Sequence, residues 1–427
     1  MFGSFFVLLA LGVPLAWSLL SLAILFGFFI KGPIILPFIS LRFWGVMTGY
    51  SLIAVPMFVF MANMLRYSGV ADDLFDALHH WMGPLKGGLA MATVVSETFI
   101  AAMVGIVGGD IVIMTLIAMP AMVKRKYDRS IAIGSIIAGG ALGVLIPPSI
   151  LFILYGVYAP ESIGKLFMGG VGPGLLLACL YITYIGIRSY LNPTLGPALP
   201  KEERVSFMEK IVLLKNIALP VVLIFIVLGS IYLGIATPSE AAGMGAMGAI
   251  LVTAARRRLS WTNLKLALFE SGKAMGILFY ICLSAVSFIG VFALAGGAVY
   301  LKELLLGLPF GPWGILIVIM LVLLVLGMVL DVIGIIILTV PIVVPVINAL
   351  GFDTLWFGIL FNVNLQIAFL SPPFGYGLFY FKAVAPETTT VELYKAVWPF
   401  IIFQIIGLAL IMVFPQIATW LPNQMIK

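Results

Sequence analysis

The chain has 427 residues, of which 63% are hydrophobic and only 9% charged, and its mean hydropathy is +1.22. Soluble domains carry about 25% charged residues, and one soluble core could not bury this much apolar surface, so soluble classes of protein are excluded. The net charge of +6 is better explained by basic loops that orient a membrane protein than by a nucleic-acid partner, and we expect no nucleic acid.

Apolar runs long enough to cross a bilayer recur along the chain. A hydrocarbon core of about 30 Å needs about 20 helical residues, and backbone in lipid must satisfy its own hydrogen bonds. The sequence therefore predicts an all-α polytopic membrane protein. The predicted spans are 2–30, 44–65, 130–157, 162–190, 214–234, 237–255, 274–300, 356–384 and 394–420. Two longer segments, 88–122 and 313–350, carry Gly and Asp near their middle, which predicts paired half-helices.

Basic residues concentrate in three loops. The first contains Lys124, Arg125, Lys126 and Arg129, and the others lie within 188–215 and 256–273. Basic loops of membrane proteins stay in the cytoplasm, so we expect all three on that side. An even number of predicted spans separates them, as this requires.

The two halves of the chain carry aspartate and proline residues at the same spacings. An Asp stands ten residues before a Pro in each half, and 27 residues separate a Pro from a later Pro-Pro pair. The members are Asp110, Pro120 and Pro147-Pro148 in the first half, and Asp331, Pro341, Pro345 and Pro372-Pro373 in the second. The repetition indicates an internal duplication.

Each Pro-Pro pair should interrupt a helix within the membrane. Two successive prolines remove two backbone donors and clash with the preceding turn. Unwound backbone at that depth is tolerated where protein or a water-filled cavity surrounds it. Its free carbonyls are then good ligands for a small cation. A kink between packed helices is the alternative interpretation, but the duplication favours a binding site.

Three carboxylates lie deep in the apolar segments: Glu97, Asp110 and Asp331. A charged group there is costly, so each is a functional candidate. Asp110 and Asp331 could cap half-helices, support an ion site, or do both. Glu97, between Ser96 and Thr98, is instead compatible with a position at the membrane interface.

Few residues could build a metal or cofactor centre. His79 and His80 are adjacent in one polar segment, and Cys179 and Cys282 lie in apolar runs, so we expect no transition metal. Walker A, dinucleotide-binding and HExxH motifs are absent from the sequence, so we expect no organic cofactor.

Several motifs resemble the large membrane subunit of the tripartite ATP-independent periplasmic (TRAP) transporters, over essentially the whole chain. They are Lys126-Tyr127-Asp128, the run from Gly139-Gly140 to Pro147-Pro148-Ser149, Thr237-Pro238-Ser239-Glu240, and Ser371-Pro372-Pro373-Phe374-Gly375. The loop 191–200 is similar to the branch labelled mannitol/chloroaromatic.

The resemblance implies an elevator-type transporter with two inverted repeats, each with a re-entrant hairpin and a Pro-Pro-broken helix. The implied domains are N-terminal scaffold helices (1–87), a first transport repeat (88–190, with hairpin 88–122 and broken helix 130–157), a cytoplasmic loop (191–215), scaffold and linking helices (214–312), and a second transport repeat (313–420, with hairpin 313–350 and broken helix 356–384).

The resemblance also implies partners and a location. It implies sodium coupling, a small membrane subunit, a periplasmic substrate-binding protein that delivers an organic anion, and a multi-pass position in the lipid bilayer of the bacterial inner membrane.

The implied sodium-binding residues form two sets, one in each half. They are Gly105, Gly139, Gly140, Pro147 and Ser149, and Gly327, Asp331, Ser371, Pro372 and Gly375. Asp110, Pro148 and Pro373 are candidates for substrate binding or site support. The family's first hairpin tip usually carries serines and a threonine, whereas this sequence has Val104, Ile106, Val107 and Asp110 there. Ser371 stands where Thr is frequent, which keeps the hydroxyl.

We therefore expect a sodium-coupled importer of a small carboxylate and not an enzyme. A sodium/carboxylate symporter that needs no binding protein is the nearer alternative. An intramembrane aspartyl protease that uses Asp110 and Asp331 is a remote one, because its Gly-x-Gly-Asp arrangement is absent.

Overall fold

The computed structural model describes residues 1–105 and 108–425, without the side chain of Val104. The described part contains twenty α-helices and no strand. Within these residues, eight helical segments are long and apolar enough to cross a membrane. The fold class predicted from hydropathy, an all-α polytopic membrane protein, is confirmed.

Five helices precede the first hairpin. They are α1 (Phe2–Ala10), α2 (Leu15–Lys31), α3 (Ile35–Met47), α4 (Ala54–Tyr67) and α5 (Val70–Met82). The single span predicted at 2–30 is wrong, because Gly12 has a positive φ of 81° and Pro14 caps α2. A short 3-10 segment joins α2 to α3, which together form one apolar segment of 33 residues.

The first hairpin and the first broken helix follow. Their helices are α6 (Gly88–Val104), α7 (Gly109–Lys124), α8 (Arg129–Ala141) and α9 (Ile150–Tyr158), followed by the long α10 (Ile163–Leu191). Asp128 begins α8 as its N-cap, accepting hydrogen bonds from the amides of Ser130 (3.0 Å) and Ile131 (3.2 Å).

Four helices connect the two halves. They are α11 (Phe207–Tyr232), α12 (Pro238–Ala255), α13 (Trp261–Leu294) and α14 (Gly297–Leu306). Capping boxes begin α11, at Ser206 with Glu209, and α12, at Thr237 with Glu240. As a result α11 starts inside the range 191–215 that was predicted as a loop. The span predicted at 274–300 is also displaced, because Ser260 caps α13 much earlier.

The second half repeats the order of the first. Its hairpin consists of α15 (Pro312–Val329) and α16 (Val332–Ala349), and its broken helix of α17 (Thr354–Leu370) and α18 (Tyr376–Val384). Then come α19 (Thr390–Val413) and α20 (Gln416–Asn423).

The two hairpins enter the protein from opposite sides. Lys86 and the basic loop 124–129 flank the first hairpin, whereas 307–311 and 350–353 around the second hairpin contain neither Lys nor Arg. Basic flanks mark the cytoplasmic side. The halves are therefore inverted repeats, and we assign the first hairpin to the cytoplasmic side and the second to the opposite side.

Contacts between the repeats are reciprocal. The second half of each broken helix packs against the second helix of the other repeat's hairpin: α9 against α16, and α18 against α7. The helices α2 and α4 pack on α13, which in turn packs on α16. Both Pro-Pro breaks are thereby held close to both hairpin tips.

Candidate functional site

The first Pro-Pro break is completely buried. After α8 a 3-10 turn covers Leu142–Val144, and the chain is not helical again until Ile150. The Pro147–Pro148 peptide bond is cis, and the Ser149 hydroxyl donates a hydrogen bond to the carbonyl of Val144 at 2.6 Å. The predicted interruption of this helix is therefore present.

The second break has the same construction but is open on one side. Residues 371–375 separate α17 from α18, and the Pro372–Pro373 bond is also cis. The Ser371 hydroxyl donates to the carbonyl of Ile367 at 2.8 Å. Ser371 is buried, whereas Phe374 is 53% exposed. This break is therefore partly exposed at the protein surface, whereas the first is buried.

Both serines keep a hydroxyl oxygen whose lone pairs are available to a ligand. A hydroxyl has one hydrogen to donate and two lone pairs to accept with. Ser149 donates its hydrogen to the carbonyl of Val144 in the 3-10 turn, and Ser371 donates its hydrogen to the carbonyl of Ile367 in α17. Each oxygen can thus accept a cation without breaking a hydrogen bond of the fold.

The tip of the first hairpin rests on the first break. Gly105 has a positive φ of 56°, and its carbonyl accepts a hydrogen bond from the Ile150 amide at 3.5 Å. A Cβ on Gly105 would overlap the carbonyl oxygen of Pro148. The substituted tip positions Ile106 and Val107 lie outside the described residues.

The tip of the second hairpin is formed around Asp331. This residue is the N-cap of α16, and its carboxylate accepts a hydrogen bond from the Ile333 amide at 3.0 Å. Gly327 lies one turn before the tip, where an added Cβ would be 2.6 Å from the Cβ of Ala368 on α17. The capping interpretation of Asp331 therefore applies, and the carboxylate keeps further lone pairs.

A cavity of about 290 Å³ lies between the two tips. Gly105 from the first tip and Asp331 from the second both line it, as do Tyr376 and Tyr380 of α18. Its opposite wall is apolar and belongs to α13, from Met275 to Ile281. The cavity is large enough for a small organic molecule and is bounded by both repeats.

A second cavity, of about 160 Å³, adjoins the same face of α13. Ala274 lines both cavities, and the second also contacts Asn63, Arg66 and Glu270. These three polar residues were missed by the sequence analysis. A signal existed for Arg66, because no other Lys or Arg stands between Arg42 and Lys86.

Some predicted residues lie away from the cavities. Gly139 and Gly140 face the first hairpin, where an added Cβ would overlap the Glu97 carboxylate or the Ile111 side chain. Gly375 is packed against the backbone of residues 369–371, with an added Cβ 2.8 Å from the carbonyl oxygen of Phe369. At these positions glycine permits close helix packing, and their ligand role stays a prediction.

Glu97 does not lie at the interface, and that interpretation is wrong. Glu97 and Asp110 are both 0% exposed, on α6 and α7 of the first hairpin. One oxygen of Asp110 accepts a hydrogen bond from the Ile111 amide at 2.9 Å. Among the described residues, the other Asp110 oxygen and both Glu97 oxygens have no hydrogen-bond partner.

The two histidines lie on the short amphipathic helix α5. Nδ1 of His80 is 2.9 Å from the Asp76 carbonyl oxygen, and ligand atoms of Asp76, His79 and His80 lie within 4.8 Å of one another. Burial, with Arg125 and His80, lowers the pKa of His79 from 6.5 to about 4. The expectation that this cluster holds no transition metal stays a prediction.

The sequence matches one transporter family along almost its full length. Residues 2–417 match the family described as "Tripartite ATP-independent periplasmic transporter, DctM component". The chain is 30% identical over 439 residues to the C4-dicarboxylate TRAP transporter large permease protein DctM of Rhodobacter capsulatus, covering 99% of this chain and 98% of that protein.

A second relative and one solved structure extend the comparison. The chain is 31% identical over 403 residues to the isethionate TRAP transporter permease protein DctMQ of Oleidesulfovibrio alaskensis, which covers 94% of this chain and 62% of that protein. The crystal structure of the Alcanivorax borkumensis YdaH transporter has a TM-score of 0.65 at 14% identity, covering 95% of this chain and 98% of that one. The latter similarity concerns the fold alone.

Proposed function

The chain belongs to the DctM component family of the tripartite ATP-independent periplasmic transporters, and we propose that it is a sodium-coupled permease that imports a small organic anion. Membership makes it a multi-pass protein of the bacterial inner membrane and a transporter permease subunit, not an enzyme. The aspartyl protease alternative is therefore dropped.

The duplicated break carries the sodium proposal. Each half presents unwound backbone, a serine oxygen with free lone pairs, and a hairpin tip beside it. Oxygen ligands of this kind suit a small hard cation, and broken helices provide them in many secondary transporters. Ser149 with Gly105 would contribute to one site, and Ser371 with Asp331 to the other.

Sodium would also make the cavity acceptable to an anion. Asp331 lines the cavity of about 290 Å³ and would repel a carboxylate, but a bound cation offsets its charge. In the adjoining cavity Arg66 supplies a positive charge beside the negative charge of Glu270. The relatives named for C4-dicarboxylate and isethionate favour an anionic substrate, and we propose a small carboxylate.

We further propose two protein partners and a moving transport unit. The family's description as tripartite and periplasmic favours a small membrane subunit and a periplasmic substrate-binding protein that delivers the anion. The two hairpins and both broken helices pack reciprocally. Such a unit can move as one body against α4 and α13, as an elevator requires.

The test is uptake into proteoliposomes that contain the chain, the small subunit and the binding protein. We expect accumulation of a radiolabelled dicarboxylate driven by an inward sodium gradient. Equal uptake with potassium replacing sodium would refute sodium coupling. Uptake by the chain without the binding protein would support the binding-protein-independent symporter instead.

A matched pair of serine variants locates the ion. Ser371→Ala should lower the apparent sodium affinity by about tenfold, or about 1.4 kcal/mol. Ser287→Ala on α13 is the control, because its hydroxyl also donates to the carbonyl four residues earlier, at 2.7 Å, but lies outside the breaks. Equal effects of the two substitutions would contradict the assignment.

A further inference from the structure

The polar side chains of the larger cavity all belong to the second repeat. Among the described residues that line it, they are Asp331, Tyr376 and Tyr380. Asp331 begins α16 at the second hairpin tip, and the tyrosines lie on α18, after the second break. No Lys, Arg or His is found in this described lining. The cavity of about 290 Å³ therefore offers a ligand one carboxylate and two phenols.

The two tyrosines present free hydrogen-bond donors on one face of α18. Residues four apart in a helix lie on the same face, one turn from each other. The Tyr380 ring is held against Gly108 of the first hairpin and stacks on Phe369, with ring centroids 6.3 Å apart. In the part of the chain that the structure describes, the hydrogen bonds of tyrosine hydroxyls are made by other residues, Tyr127, Tyr155 and Tyr394. Each phenol of the pair can thus donate its hydrogen to a substrate carboxylate.

The wall that faces these groups is apolar. The helices α4 and α13 supply Val59, Met275, Ile277, Leu278 and Ile281. The sequence of the first hairpin tip, 104–108, likewise consists of Val, Ile and Gly. A carboxylate placed against this wall would lose its water and gain no donor, which disfavours it strongly.

The adjoining cavity does not supply the charge that a second carboxylate would need. Its lining contains Arg66 together with Glu270, whose formal charges cancel. A carboxylate that entered it would be attracted by the one and repelled by the other. The two cavities together therefore favour a ligand with one anionic group.

We propose that the permease selects an anion that has a single carboxylate and an apolar hydrocarbon body. This inference rests on the proposed function, the transport of a small carboxylate through this cavity. The carboxylate accepts hydrogen bonds from Tyr376 and Tyr380, with a bound cation offsetting Asp331, and the body packs against α13. Dicarboxylates remain weaker substrates.

An apolar wall also suits the movement of a transport unit. Hydrophobic contacts are not directional, so the substrate body can slide along α13 without breaking a hydrogen bond. The directional contacts are made by α16 and α18 and travel with the substrate.

Titration calorimetry of the purified full chain in lipid nanodiscs, at saturating sodium chloride, compares hexanoate with adipate. The two anions have the same carbon chain and differ in one end group, which is a methyl in hexanoate and a second carboxylate in adipate. After subtraction of the heat from empty nanodiscs, we expect the Kd of hexanoate to be at least about tenfold lower than that of adipate.

Tyrosine variants test the anionic end of the site. Tyr376→Phe and Tyr380→Phe keep the ring and remove the hydroxyl, so each should weaken hexanoate binding by about fivefold. Tyr300→Phe is the control, because this tyrosine is exposed on α14 and lies outside the cavity. Equal affinities of the cavity variants and the control would contradict the role of the phenols.

A lysine in the apolar wall tests the other end of the site. Ile277 lines the cavity and is 58% exposed, so Ile277→Lys adds a cation without disturbing the core. We expect this variant to bind adipate more tightly than the unmodified chain does, a gain that misfolding does not produce. Ile226→Lys on α11, at an exposed position outside the cavity, should leave adipate binding unchanged.

Three results would overturn the proposal. The first is adipate binding as tight as hexanoate binding in the unmodified chain, which would show that the second carboxylate finds a partner. The second is an unchanged adipate affinity in Ile277→Lys, and the third is binding of neither anion. The uptake experiment with a sodium gradient judges the proposed function separately, because sodium-driven uptake of a dicarboxylate can succeed whichever anion is preferred.

Discussion

The carbonyl of Gly105 accepts a hydrogen bond from the amide of Ile150 at 3.5 Å. This contact joins the tip of the first hairpin to the first residue of α9, immediately after the Pro-Pro break. It orders the turn in which unwound carbonyls and the Ser149 hydroxyl are brought together.

Gly105→Ala should therefore strongly slow transport while the protein still inserts into the membrane. Alanine at a positive φ costs about 1 kcal/mol or more, and its Cβ would overlap the Pro148 carbonyl oxygen. We expect the initial rate of uptake to fall more than about tenfold. Gly229→Ala on α11, where a Cβ meets nothing within 4 Å, is the control. Equal rates for the two variants would contradict the role of the tip.

The Asp331→Asn variant distinguishes the effect of the carboxylate charge from the role of this residue as the N-cap of α16. Asparagine is as good an N-cap as aspartate, so the hydrogen bond to the Ile333 amide and the thermal stability should be retained. Sodium affinity should fall by about tenfold or more, because the carboxylate charge beside the cavity is lost. Isothermal titration with sodium measures the change, and unaltered affinity would exclude Asp331 as a ligand.

Tyr155→Phe tests the junction between the repeats. The Tyr155 hydroxyl donates to the Thr354 carbonyl at 2.9 Å, which joins α9 to the first residue of α17. Its loss should cost about 1 kcal/mol of unfolding free energy. Thermal unfolding in detergent measures this, with exposed Tyr300→Phe as the control. A destabilisation no larger than that of the control would show that the bond contributes nothing.

His79→Gln should make the protein less sensitive to mild acid. The pKa of His79 is lowered from 6.5 to about 4, chiefly by burial, so the unfolded chain binds the proton first. Stability from this group is therefore complete above about pH 6.5 and is lost as the pH falls toward 4. The unfolding midpoint should drop less in the variant between about pH 7 and about pH 5. Identical losses in both proteins would exclude His79 as a source of acid sensitivity.

Local chemistry explains why much of the architecture was predictable. Apolar runs must become helices in lipid because their backbone has no other hydrogen-bond partner. The Pro-Pro pairs at 147 and 372 must interrupt those helices because proline lacks a donor. Both properties belong to short segments and do not depend on what packs around them. The break at Gly12 and Pro14 is of the same kind and could have been recognised.

What the tertiary structure alone decided is which distant residues meet. Tyr376, Tyr380 and Arg66 line the cavities because α18 and α4 pack beside the hairpins, and hydropathy carries no information about such contacts. Glu97 looked interfacial from its polar neighbours, yet the packing of α6 on α8 buries it completely. Hydrophobicity and backbone hydrogen bonding act along the chain, whereas the burial of a single carboxylate depends on every helix around it.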